Sequence, residues 1–133
     1  MKEAIIDTDT LSFYLRGFPP VVEKLNTYLN EFGYINLSIV THFEILNGLF
    51  IKDAKKQLEK YQNFVAENVI VNLDIHSVEI SAEIIAQLHK TGQPIGYLDT
   101  LIAGIALQND LTLITNNTNH FSRIDNLIID NWT

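Results

Sequence analysis

Three carboxylates fall where carboxylates are unfavourable. Asp7 follows the apolar run Ala4-Ile5-Ile6, Glu44 lies inside a mostly apolar helical stretch, and Asp99 opens another after Ile95-Gly96-Tyr97-Leu98. A carboxylate among aliphatic side chains is costly unless a cation compensates it. A divalent metal ion is the simplest such cation, and ligands that are all oxygen favour Mg²⁺ or Mn²⁺ over zinc or copper. The three acids, on three different elements, are therefore expected to meet at one point and to serve a metal-dependent enzyme acting on phosphate esters.

Each acid also has a plainer explanation. Glu44 has Val40, Gly48 and Ile51 at helical spacing, an apolar stripe with a small residue beside the acid. A lone glutamate there would usually reach solvent or pair with a lysine; the company of the other acids argues against that. Asp99 sits in a first helical turn, where exposed amides favour a carboxylate, but its face continues through Ile102, Ala103 and Ala106 and so turns towards a core. Asp9, beyond Thr8, fits a simple strand-ending turn, whereas Asp7 directly follows two isoleucines. His42, His76, His89 and His120 have no metal-binding spacing and read as surface or supporting residues. Lys52, Lys55, Lys56 and Lys60 form a basic run that reads first as a solvated face, and second as a contact for nucleic acid or a partner.

The elements that must position these groups alternate between strand and helix. Residues 3–8 read as a buried strand, and Pro19-Pro20 start a helix whose stripe Val22, Leu25, Leu29 and Phe32 ends at Gly33. Strand 34–38 and helices 38–50 and 53–67 follow, then strand 69–73, helix 76–90, helix 97–109, strand 111–115 and a last strand near 127–130. This order predicts an α/β fold, a three-layer α/β/α sandwich with a short central parallel sheet. Ligands of such folds gather at the carboxyl ends of the strands, where Asp7 and Thr115 fall.

Composition bounds the rest. With 133 residues and 47% hydrophobic content, residues 1–133 are expected to form a single domain with a sizeable core. No cysteine is present, so neither disulfides nor thiolate zinc sites are possible. No apolar run approaches a membrane span and no basic leader precedes the first strand, which together predict a cytoplasmic protein. The net charge of −7 argues against an unselective electrostatic grip on nucleic acid, although metal ions in an acidic pocket reverse the local sign.

Two resemblances follow from the motifs. Asp7-Thr8-Asp9-Thr10-Leu11 resembles the signature of haloacid-dehalogenase-type phosphatases, with Asp7 as nucleophile and Asp9 as acid, but no lysine follows Lys90 as that family requires. The ordered set Asp7-Thr8-Asp9, Thr41-His42-Phe43-Glu44-Ile45-Leu46-Asn47-Gly48, the stretch from Ile95 to Ala106, and Leu113-Ile114-Thr115-Asn116-Asn117-Thr118-Asn119-His120-Phe121 resembles PIN-domain nucleases. More narrowly it resembles VapC toxins of type II toxin–antitoxin systems. The ending Arg123 to Trp132 is similar to the subgroup that cleaves initiator tRNA.

That resemblance implies that Asp7, Glu44 and Asp99 bind metal and are catalytic, supported by Thr8, Asp9, Thr115, Asn116 and Asn117. Relatives often carry a fourth acid just before the Phe, where this chain has His120; Asn116, Asp9 or water is then expected to complete the shell. The implied chemistry is Mg²⁺- or Mn²⁺-dependent hydrolysis of RNA, with the ion lowering the pKa of an attacking water. The implied partners are a VapB-like antitoxin that inserts an Arg or Lys, a tRNA substrate, and a second copy of the chain. The aromatics Phe13, Tyr14, Phe18, Tyr28 and Phe32 are the candidates for that dimer surface, although membership of the core accounts for most of them. A non-catalytic domain with a structural cation site is the competing expectation.

Overall fold

The structure, a computed structural model, describes residues 1–133. Its strands are β1 (Ala4–Ile6), β2 (Asn36–Ser38), β3 (Val69–Val71), β4 (Thr112–Ile114) and β5 (Ile129–Asp130). The helices are α1 (Thr8–Leu15), α2 (Pro19–Phe32), α3 (Ile39–Ile51), α4 (Lys55–Ala66), α5 (Ile75–Lys90), α6 (Tyr97–Gln108) and α7 (Thr118–Phe121). The sheet runs β3-β2-β1-β4-β5 and every pairing is parallel. The strand order reverses direction between β1 and β4, so the crevice past their carboxyl ends is the place for a ligand.

Alternation along β1 divides the interior into two cores. Ala4 and Ile6 join Leu11, Leu25, Tyr28, Leu37, Ile45 and Tyr61, which are supplied mainly by α1 to α4. Ile5 points the other way, into Leu88, Ile102, Ile105, Leu113 and Phe121 beneath α5, α6 and α7. The result is the expected three-layer sandwich. Helices α5 and α6 pack closely, because Gly104 lets the backbone of α6 approach Ser77 and Ser81, and the Ser81 hydroxyl donates to the Thr100 carbonyl at 2.9 Å.

Several boundaries follow directly from local chemistry. Prolines occupy the first turn of α2, where missing amide donors do no harm, and Gly33 closes it with φ of 84°. Ser38 caps α3, and Asp74 with Ser77 forms a capping box on α5.

Two helices escape the sequence reading. The first strand ends at Ile6 rather than at residue 8, since Asp7 is the N-cap of α1 and its carboxylate accepts from the Thr8 amide. The same short polar stretch that ends the strand thus starts a helix with no intervening loop. The four-residue α7 lacks the length to leave a periodic signal.

The aromatics weighed as dimer surface or core prove to be mostly core. Tyr28 is wholly buried, its hydroxyl accepting from the Ala4 amide at 2.8 Å, and Phe13, Tyr14 and Phe32 pack against the core, which leaves Phe18 partly exposed. Aromatics on an amphipathic helix serve the nearest core first. Exposed apolar side chains on the helices include instead Phe43, Phe50 and Ile51 on α3, Ile75 and Val78 on α5, and Tyr97 and Leu98 on α6.

Candidate active site

Asp7 stands at the strand-order reversal. Its own amide donates to the Ile114 carbonyl, which places the residue between β1 and β4. The side chain is 4% exposed; Oδ1 accepts from the Thr8 amide at 2.9 Å and Oδ2 from the Thr115 hydroxyl at 2.8 Å. Burial pushes the Asp7 carboxyl up to about 7; the charges of Asp9 and Asp99 push the same way, and its bonds from Thr115 and Thr8 act against them.

Asp9 and Asp99 flank this buried acid. Asp9 lies in the first turn of α1, where Oδ1 accepts from the Thr10 amide and hydroxyl, and Oδ2 accepts from the Asn116 amide at 3.1 Å. Asp99, half-buried in the first turn of α6, is also raised, chiefly by burial and further by Asp9, while His120 lowers it. The Asn117 amide nitrogen stands 3.5 Å from Asp99 Oδ2 and 3.0 Å from His120 Nδ1. His120 Nδ1 is 3.9 Å from the same Asp99 oxygen.

Glu44 is held differently. It is partly exposed on α3 and its Oε1 accepts from the Thr8 hydroxyl at 2.7 Å, with the Thr41 hydroxyl 3.0 Å from that of Thr8. Thr8 therefore joins two neighbourhoods, its amide bonded to Asp7 and its hydroxyl to Glu44. Glu44 is not among the charges that raise Asp7 or Asp99. No three of the acid and histidine side chains close around a single point.

The placement of the expected residues is thus uneven. Asp7, Asp9 and Asp99 act on one another electrostatically, and Thr115 and Asn117 contact them directly. Asn116 supplies only its backbone amide. Its side-chain oxygen accepts from Asn131 and the Thr133 hydroxyl, so of the three candidates to complete the shell it is the one already engaged elsewhere. His120, read from the sequence as surface or support, lies beside Asp99; its position one residue before Phe121, in the segment that follows β4, was the available signal. Thr41, which opens the Glu44 motif, joins this group too, because its spacing three before Glu44 places both on one helical face.

The donor set suits an oxygen-ligated divalent cation. A buried carboxylate whose ionisation is opposed by two neighbouring carboxylates, with only a partly exposed histidine nearby, is a site of surplus negative charge in a low-dielectric surround.

Comparison with known proteins identifies the family. Residues 4–127 match the PIN domain family. The chain is 30% identical over 135 residues, covering 100% of both chains, to a Shigella flexneri protein called tRNA(fMet)-specific endonuclease VapC. It superposes with a TM-score of 0.90 and 27% identity, over 100% of each chain, on a chain of the DNA-bound VapBC complex from Salmonella typhimurium. A chain of VapBC2 from Rickettsia felis, bound to a promoter DNA fragment, gives a TM-score of 0.88 at 26% identity over 98% of each chain. The haloacid-dehalogenase alternative does not survive a match of this extent. From its opening strand to the approach to β5, the chain belongs to the PIN-domain family, and within that family to the VapC proteins.

Proposed function

We propose that the chain is a metal-dependent endoribonuclease, the toxin of a VapBC-type toxin–antitoxin pair, which cuts a tRNA, namely the initiator tRNA in its anticodon stem–loop. The observation that carries this reading is the buried Asp7 carboxylate, flanked by Asp9 and Asp99 at the β1–β4 reversal of a PIN-family chain. Asp7 and Asp99 would hold Mg²⁺ or Mn²⁺, with Asp9 in the place of the missing fourth acid and Glu44, held apart on the Thr8 hydroxyl, reaching the ion through water. Such an ion, when bound, acidifies an attacking water and offsets negative charge building on the phosphate.

The remaining work falls to residues of the chain. Thr115 holds one Asp7 oxygen and the Thr8 amide the other, which fixes the carboxylate plane. Thr8 also fixes Glu44 through its hydroxyl. Asn117 positions Asp99 and His120 together. A net charge of −7 leaves little unselective attraction for RNA, so selection rests on the shape of a structured loop and a few splayed bases.

Relatives crystallised as VapBC complexes support a cognate antitoxin, and surplus acid at the site suits an Arg or Lys supplied by that partner. No helix is long and apolar enough to cross a membrane. The reading is of a single-domain cytoplasmic protein that pairs with a second copy through the exposed apolar side chains of α3.

The test is incubation with Mg²⁺ or Mn²⁺ and total cellular RNA, followed by mapping of new 5′ ends, with EDTA as control. A single metal-dependent cut in initiator tRNA is expected. Cuts scattered through messenger RNA would overturn the substrate. Loss of thermal stability in EDTA with no cleavage at any metal concentration would overturn the nuclease reading in favour of a structural cation site.

A further inference from the structure

The acid group occupies one side of Thr8, and the other side is chemically opposite. There a cavity of about 280 Å³ opens between α1, α3 and α4, with Thr8 and Glu44 on its rim and Arg16, Lys52 and Lys60 among its lining residues. The chain has only 9 Lys and Arg against 16 Asp and Glu, yet three of those cations line this one cavity. None of the three has a carboxylate within ion-pairing distance. Lys52 and Lys60 belong to the basic run noted in the sequence, whereas its other two members, Lys55 and Lys56, lie outside the lining.

Two of these side chains are already held in place. The Lys60 ammonium donates to the Leu15 carbonyl at 2.7 Å and keeps two further donors, and the Arg16 guanidinium lies 5.1 Å from the centre of the Phe13 ring. Long cationic side chains that are already ordered lose less freedom when they engage a ligand. Gly48 lines the cavity with open space beside its backbone, since a Cβ at that position would meet nothing within 4 Å.

We propose that this cavity is a second phosphate subsite, which seats a backbone phosphate and its ribose next to the phosphodiester to be cut. The inference rests on the ribonuclease reading and adds to it the path of the strand. Thr8 touches the acid group through its amide and the cavity rim through its hydroxyl, so a strand lying across the acids passes directly towards the cations. Glu44 is the one anion on the rim, and its Oε1 is occupied by the Thr8 hydroxyl. Three unpaired cations against one engaged carboxylate favour a phosphate over an uncharged ligand. Apolar Leu15, Ile45 and Leu49 provide a surface for the ribose.

The test compares wild-type protein with Arg16→Gln/Lys52→Gln and with Gly48→Leu in steady-state tRNA cleavage at several KCl concentrations. The double variant is expected to raise KM roughly tenfold or more with kcat little changed, and to make the log–log salt dependence of kcat/KM shallower by about 0.7 for each phosphate it no longer neutralises. Gly48→Leu should raise KM by occlusion and make the salt slope shallower by a similar amount, since a phosphate kept out of the cavity is no longer neutralised there; it takes away no native side chain, so it guards against misfolding of the double variant. Variants with wild-type KM and salt slope, beside an active wild-type enzyme, would overturn the subsite alone. Unchanged RNA kinetics with weakened binding of the purified antitoxin would overturn it in favour of a peptide site. A wild-type protein that cuts no RNA would remove the ribonuclease reading, and the subsite with it.

Discussion

Replacing Asp7 by Asn should make the metal-free protein more stable and inactive at once. The Asp7 carboxyl moves from its ordinary 3.8 in the unfolded chain to about 7 in the folded one. At about 1.4 kcal/mol for each pH unit, that difference amounts to roughly 4 kcal/mol of destabilisation once the group is ionised in both states. The sign follows from the raised value. Below pH ~4 both states are protonated and Asp7 has no effect; from there to pH ~7 the unfolded chain ionises first and stability falls; above pH ~7 the whole penalty is present. Asn caps a helix about as well as Asp and keeps the bond from the Thr8 amide, while its amide nitrogen would donate to the Thr115 hydroxyl in place of the bond now accepted there, and the lost charge at the start of α1 removes up to about 1 kcal/mol. The net gain is therefore about 3 kcal/mol at pH 8, or roughly 10 °C in Tm for a chain of this size. Urea and thermal unfolding in EDTA across pH 4 to 8 would measure it, and the gain should shrink nearly to nothing by pH 4. Saturating Mn²⁺ should stabilise the wild type more than the variant. A variant less stable than wild type at pH 8 in EDTA, or a difference that does not change with pH, would refute the account of Asp7 as a buried, repelled carboxylate.

Asp99→Asn, Asp9→Asn and Glu44→Gln should each lower the cleavage rate by about a hundredfold or more with an unchanged circular dichroism spectrum; full activity in Asp9→Asn would return the fourth ligand position to water. The two helical glycines should respond in opposite directions to alanine. Gly104→Ala would place a Cβ 2.6 Å from the Ser77 carbonyl and should destabilise by roughly 3 kcal/mol or more, whereas Gly48→Ala meets no neighbour and should stabilise α3 by about 0.5–1 kcal/mol in urea unfolding. Sedimentation should show a dimer that Phe50→Ser/Ile51→Ser dissociates, since these side chains are 62% and 77% exposed on α3; a wild-type monomer at high concentration would refute the pairing.

Much of the framework could be read from one-dimensional pattern, because it is decided by local chemistry. The aliphatic runs mark strands whose interior faces are both covered, Pro19 and Gly33 bound α2, and the stop after Lys90 ends α5. That Asp7 and Thr115 fall at the carboxyl ends of strands also follows from the alternation of strand and helix, whereas the pairing of those two strands does not. The absence of cysteine and the surplus of acid are properties of composition alone. Tertiary structure decided what depends on distance between elements. It converted the stretch after Ile6 into a helix cap, which sequence periodicity could not separate from the end of a strand. It set Asp9 close enough to raise Asp7, tied Glu44 to Thr8 instead, and turned the Asn116 side chain to the C-terminal residues. It also buried Tyr28 while leaving Phe50 in solvent, although both belong to apolar helix faces. Arg16, Lys52 and Lys60 share a cavity only because α1, α3 and α4 pack together. Spacing along a chain specifies which face of its own element a side chain occupies, whereas charge interaction and cavity shape depend on three-dimensional separation between elements distant in sequence.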